Sequence, residues 1–267
     1  MPKRQVRPIY FRQKKAKNIN NETHGIHGIA SCLSSALHSA TGAEASKAHR
    51  FILKDEYASR FSAEDVQVPN GDWVHLACPE ALNKCFHCND YDAHGHWILI
   101  GIHGTSSNKG HPNGISSVGI YFGKDNDYNQ AYTLDFRTKH TTQLAELEAC
   151  IKALKQVFKI TNDARLKKKE IDRVVIKSDS EYIALGVTEW MAKWKINGWM
   201  TCAGADVANR THFLRIERLV KKLKEEEGIS VQFWHVPKAS NKEADGLAKF
   251  ALDYQIKGSI SLRFPFL

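Results

Sequence analysis

Apolar positions along the chain come in short blocks, and the period of those blocks marks out the elements. Residues 97–102 are an apolar run. After a Gly/Asn/Pro-rich loop, residues 115–122 read as a second strand that closes a hairpin with the first, and residues 131–136 as a third. From 141 to 158 the apolar residues Leu144, Leu147, Ile151, Leu154 and Phe158 fall three and four apart, the stripe of a core-facing helix. Residues 171–177 carry Val174, Val175 and Ile176 and read as a buried strand. Helical stretches follow through Trp190 and over 207–225, then a strand at 229–236 and a helix at 241–252. Three strands followed by alternating helix and strand predict an α/β layer fold, a mixed sheet covered by helices.

Ahead of residue 97 the pattern is weaker. The first twenty positions hold Lys3, Arg4, Arg7, Arg12, Lys14, Lys15 and Lys17 and no acid, so residues 1–24 are expected to form a flexible basic arm. Such an arm serves as a solvated tail, a nuclear-import signal or a contact to phosphates. Residues 25–96 are read as an N-terminal extension, in which Ile29, Cys32, Leu33 and Ala36 allow one short amphipathic helix. Its end is rich in Cys and His, with Cys78, Cys85, Cys88, His94 and His96 in the order C-x6-C-x2-C-x5-H-x-H. Thiolate and imidazole together suit Zn²⁺, so Cys85, Cys88, His94 and His96 are candidate zinc ligands, set against the alternative of ordinary buried thiols. Because His75 and His87 compete, the ligand set stays open. The domain proper is placed at 97–252, and 253–267 is read as a C-terminal tail.

Composition narrows the class. The chain has 267 residues, 42% hydrophobic and 25% charged, enough for a real core. Its 38 basic against 29 acidic residues leave +9, which points to a polyanionic partner. Six cysteines are few for this length and suit a reducing compartment, so an intracellular site is expected: nucleus, cytoplasm or mitochondrion. No apolar run approaches the roughly 20 residues of a membrane span, and the basic N-terminus lacks the apolar core of a secretory signal. No membrane association is expected, and the chain is expected to be a monomer.

Three acids stand where an α/β sheet presents its ligand crevice. Asp179 directly follows the run 174–176, at the carboxyl end of its strand; Glu146 lies in the first turns of the long helix and Asp245 in those of the last. Four words surround them in order: Thr141-Thr142-Gln143-Leu144-Ala145-Glu146-Leu147, Ser178-Asp179-Ser180-Glu181-Tyr182, the stretch from Gly186 through Trp190 and Trp194 to Trp199, and Asn241-Lys242-Glu243-Ala244-Asp245-Gly246-Leu247-Ala248. Over residues 97–252 this arrangement resembles type 1 ribonuclease H. The resemblance implies a five-stranded mixed sheet flanked by helices. It also implies a site where four carboxylates hold two Mg²⁺ ions that cleave the RNA strand of an RNA/DNA hybrid. Such ions activate the attacking water and stabilise the leaving oxygen, and Mg²⁺ prefers hard oxygen ligands.

Glu146, Asp179 and Asp245 match three of those metal ligands. The fourth, an Asp at the end of the first strand, falls on His103 within Ile102-His103-Gly104. A neutral imidazole brings one lone pair and no negative charge and suits Zn²⁺ or Cu²⁺ better than Mg²⁺. A weakened site for Mg²⁺ or Mn²⁺ is expected, with His103 beside Asp179 as an imidazolium replacing the metal's charge. The loop before the last helix is short and lacks the His that the resemblance would place there; His235 precedes it.

Contacts to nucleic acid look better kept. The resemblance puts Lys139, Thr141 and Asn209 at a pocket for one DNA phosphate, Asn108 and Gln143 at the RNA minor groove, and Tyr182 and Trp190 along the DNA-strand channel. Lys139 stands where Arg is usual, and Thr142 and Leu144 replace Asn and Arg. Lys193, Trp194, Lys195 and Trp199 form the basic, aromatic protrusion, although tryptophans four apart also mark a buried helix face. An RNA/DNA hybrid is the expected partner, with cleavage lost or weak, or retained at an altered metal site.

Overall fold

The structure is a computed structural model, and it describes residues 48–79, 83–84, 91–107, 114–135, 137, 139–163, 166 and 171–261. The chain divides into 1–42 and 43–267, and the first unit lies wholly outside the described residues. So do the basic arm, the short helix expected around Cys32, and Cys85, Cys88 and Asn108.

The described residues build one sheet of eight strands. In chain order these are β1 (His49–Arg50), β2 (Gln67–Asn70), β3 (Trp73–Ala77), β4 (Ala93–Ser107), β5 (Ile115–Tyr121), β6 (Gln130–Thr133), β7 (Arg173–Ser178) and β8 (Ser230–His235). The helices are α1 (Leu53–Glu56), α2 (Thr142–Thr161), α3 (Glu181–Leu185), α4 (Met191–Ile196), α5 (Arg210–Glu227) and α6 (Lys242–Ser261). β4 to β8 are the five strands the sequence predicts, and their sheet is mixed. β4 runs parallel to β7, with Gly101 opposite Lys177, and antiparallel to β5, with His103 opposite Gly119.

Two expected boundaries move. The domain start at 97 falls inside β4, whose first half pairs with β3, while β1 adds in parallel to β8; part of the N-terminal extension therefore belongs to the same sheet. The tail expected from 253 is helical as far as Ser261, where α6 ends. β2 carries Pro69, which a ladder tolerates at an edge, and β2 ends the strand order.

The alternation of β4 sorts the core into two layers. Ile98, Ile100 and Ile102 are fully buried with Leu147, Ile151 and Leu154 of α2 and with Phe213 and Ile216 of α5. Leu99 faces the other way. With Val175, Trp234 and Val236 it packs against Phe51, Tyr57, Phe61, Val66, Val68 and Leu76, so residues 51–76 cover a sheet face that is otherwise apolar and bare. Polar links reinforce the seam: buried Lys177 donates to Gln67 Oε1 at 2.5 Å, Ser240 Oγ to Glu64 Oε1 at 2.7 Å, and Arg50 pairs with Glu189 at 3.0 Å.

Candidate active site

Three of the four candidate residues lie at or near an element's end, and His103 lies within a strand. His103 sits on β4 and Asp179 one residue beyond β7, where the two strands run parallel. Thr141 caps α2, its hydroxyl accepting from the Leu144 amide at 3.2 Å, which fixes the helix start and hence Glu146 in the second turn. Asp245 lies in the first turn of α6, its amide bonded to the Asn241 carbonyl at 3.1 Å. The elements close tightly because Gly104 and Gly119 leave room for helix backbone: a Cβ at Gly119 would come within 2.1 Å of the Ala244 carbonyl oxygen.

The result is an imidazole in the middle of three carboxylates. His103 Nδ1 is 2.9 Å from Asp179 Oδ1 and 3.8 Å from Glu146 Oε1, and its Nε2 is 3.3 Å from Asp245 Oδ1. His103 is only 6% exposed and Glu146 4%. Asn241, fully buried, donates its Nδ2 to Asp179 Oδ1 at 2.8 Å and to the Ile102 carbonyl at 2.9 Å, clamping β4 to the acid. Lys249 Nζ reaches Asp245 Oδ2 at 2.6 Å and Lys238 Nζ reaches Asp245 Oδ1 at 3.6 Å.

These surroundings shift His103 and the three acids. Burial pushes Glu146 up to about 8, against the pull of His103. Burial also disfavours ionised Asp179, but hydrogen bonds from His103 and Asn241 outweigh it and bring the acid down to about 2. Asp245 moves the same way: burial opposes ionisation, and the hydrogen bond from Lys249 with the charge of His103 prevails. For His103 burial disfavours the cation, and the hydrogen bond to Asp179 with the charges of Glu146, Asp179 and Asp245 reverses this, raising its pKa. Glu146 Oε2 is buried without a hydrogen-bond partner. Among the described residues, His103, Glu146 and Asp179 are the group whose ligand atoms, all within 4.8 Å of one another, could hold a metal ion.

The zinc stretch gathers no such group among the described residues. His94 is paired in β4 opposite Leu76 and His96 is exposed on the same strand, while Cys85 and Cys88 lie outside the described residues.

The expected nucleic-acid residues, apart from Asn108, lie at the start of α2, in α3 and the turn after it, and just ahead of α5. Lys139 and Gln143 are exposed on either side of the α2 cap formed by Thr141. Asn209, in the left-handed conformation just before α5, donates to the Tyr182 hydroxyl at 3.4 Å, which bonds to the Ala208 carbonyl at 3.3 Å. A π-helical turn, Gly186–Trp190, joins α3 to α4 and carries Trp190. Gly186 is needed there, since a Cβ would meet the Phe213 ring at 2.7 Å. Trp190, Trp194 and Trp199 then follow one another in a row, the first pair edge-on at 6.0 Å between ring centroids and the second tilted at 6.1 Å. Trp199 is buried, whereas Trp190 and Trp194 keep part of their rings open, so packing and exposure share this row. Lys195 is held by Glu217. Sequence reasoning missed Lys238 and Lys249 as parts of the site. Lys249 carried a signal, its spacing of four from Asp245 on one helix.

Comparison with known proteins identifies the family. A family model described as RNase H matches residues 102–253. Human Ribonuclease H1 is 33% identical over 159 residues, 58% of this chain and 50% of its own length. The Ribonuclease H of Francisella tularensis subsp. novicida (strain U112) is 31% identical over 147 residues, 54% of this chain and 84% of its own. The chain thus spans about half the length of the mammalian relatives it matches. Among solved structures, LC11-RNase H1 isolated from compost is 19% identical with a TM-score of 0.41, covering 60% of this chain and 99% of its own.

Proposed function

Since the chain belongs to the RNase H family, we propose that it binds RNA/DNA hybrids while hydrolysis of the RNA strand is lost or weak. The observation that carries this reading is the placement of His103. Both ring nitrogens are within 3.3 Å of aspartate oxygens, so the imidazole stands at the centre of the acids, where its charge substitutes for that of an ion.

The donor set does not fit a pair of Mg²⁺ ions. Two such ions need several hard oxygens, with a carboxylate shared between them, and octahedral room. Here a nitrogen base stands at the shared position, Lys249 already occupies one Asp245 oxygen, and burial favours the neutral form of Glu146. Lys139, Thr141, Gln143, Tyr182, Trp190 and Asn209 keep phosphate-, groove- and base-facing chemistry around the crevice, which supports binding.

A second reading, a hybrid ribonuclease with an altered metal site, is favoured by one observation: the ligand atoms of His103, Glu146 and Asp179 lie close enough to share one ion, and Glu146 Oε2 lacks a partner. Cleavage of a labelled RNA/DNA hybrid in Mg²⁺ and in Mn²⁺, with the native chain beside His103→Asp, decides between them. Binding by both and cleavage by the Asp variant alone is the expected result. Native cleavage at a rate near that of the variant overturns the first reading and establishes the second.

A further inference from the structure

Three basic side chains converge on one carboxylate. His103 Nε2 and Lys238 Nζ approach Asp245 Oδ1 at 3.3 and 3.6 Å, and Lys249 Nζ approaches Oδ2 at 2.6 Å. They differ in depth: the His103 side chain is 8% exposed, whereas those of Lys238 and Lys249 are 66% and 59% exposed. Two ammonium groups therefore stand at the mouth of the crevice over a buried imidazole. Both come from firm supports. Lys238 opens the 3₁₀ turn Lys238–Ser240, tied by Ser240 to Glu64 and closed by the Asn241 amide on the Lys238 carbonyl at 3.1 Å. Lys249 lies one turn along α6 from Asp245.

A cluster of acids alone repels a backbone phosphate. Like charges at contact distance repel strongly at a protein surface, which is why such clusters ordinarily take phosphate together with a divalent ion. In this chain Glu146, Asp179 and Asp245 are met by an equal number of basic groups, His103, Lys238 and Lys249. We propose that the crevice accepts a backbone phosphate of the hybrid without any divalent ion, with Lys238 and Lys249 supplying the contacting charge over His103. This rests on the hybrid-binding reading above. Asp245 spaces the two ammoniums, and each retains donors for a phosphate oxygen because neither is enclosed.

The test is fluorescence anisotropy of a labelled RNA/DNA hybrid with the full chain, titrated in EDTA and in Mg²⁺ over a range of salt. Equal affinity in the two buffers is expected, and His103→Asp is expected to bind several-fold more weakly in EDTA than in Mg²⁺. Lys238→Ala and Lys249→Ala should each lower the slope of log K against log salt by about one. Lys221→Ala, paired with Glu225 on α5, should leave the slope unchanged. Native binding that needs Mg²⁺, or slopes unaltered in both crevice variants, overturns the proposal while leaving hybrid binding intact. Absence of binding in either buffer overturns the hybrid-binding reading and this proposal with it.

Discussion

Gly104 lies so close to Glu146 that a Cβ on the glycine would sit 2.2 Å from the glutamate's backbone nitrogen. The contact is with helix backbone, so a larger residue cannot be relieved by turning a side chain. Gly104→Ala should push α2 away from β4, costing about 1–3 kcal/mol as overpacking does, with urea unfolding as the measure. It should also carry Glu146 away from His103. Unchanged stability would show that the two elements are less tightly seated.

Asn241 is a second such point, made of hydrogen bonds instead of contact. Its amide serves Asp179 and the Ile102 carbonyl at once, the first in a part-buried bond and the second in a buried one. Asn241→Ala leaves a buried carbonyl without a donor, so a loss of roughly 1–3 kcal/mol is expected. Asn241→Asp should be worse, because it adds a negative charge 2.8 Å from where Asp179 keeps its own. Thermal unfolding of the two variants side by side measures the order.

The site also writes a pH dependence into stability. Asp179 is held at about 2, below its unfolded value of 3.8, so its stabilisation is complete above 3.8 and is lost as pH falls through 2. His103 is raised above 6.5, so its contribution is complete below 6.5 and fades as pH rises through the folded value. Glu146, raised to about 8 from 4.5, works in the same direction as His103: folding becomes less favourable as pH climbs from 4.5 through 8 and the buried acid must ionise. The site's own contribution should therefore peak on the acid side of neutrality. Glu146→Gln should flatten the alkaline decline, and unfolding free energies of this variant and the native chain measured over the pH range provide the check.

The N-terminal cover should matter as much as any strand of the domain. Phe51 is 1% exposed and its ring lies 5.0 Å from that of Trp234. Phe51→Ala should cost about 3–5 kcal/mol by chemical denaturation. A chain cut to 97–252 would bare Leu99, Val175, Trp234 and Val236, and is expected to be insoluble or to elute as aggregate in size-exclusion chromatography run beside the native chain.

How far the sequence foretold this follows from where its signals are strong. The blocks 97–102 and 171–177 are dense in β-branched and apolar residues, and the helix at 141–158 keeps its stripe for more than four turns, so β4, β7 and α2 were legible. β2 and β3 were not. They are four and five residues long and include Pro69 and His75; β3 owes its pairing to the length of β4, and among the described strands β2 pairs only with β3. The acids of the site were visible as words, and His103 as a departure from them. Lys238 had no such mark, since a lysine in a short turn is common and only the folded loop brings it to Asp245.

The parallel pairing of β1 with β8 sets an order of events for a growing chain. His49 meets Gln232, so 232 − 49 = 183 residues separate the partners. At about 5–20 residues per second, synthesis of that stretch takes roughly 10–40 seconds, during which β1 has no strand to join. The rings of Phe51, Tyr57 and Phe61 succeed one another at 6.2 and 5.6 Å in the folded chain. Over that interval Phe51 lacks the Trp234 ring that lies 5.0 Å from it in the folded chain, which leaves this short aromatic cluster open to a chaperone until β8 is made.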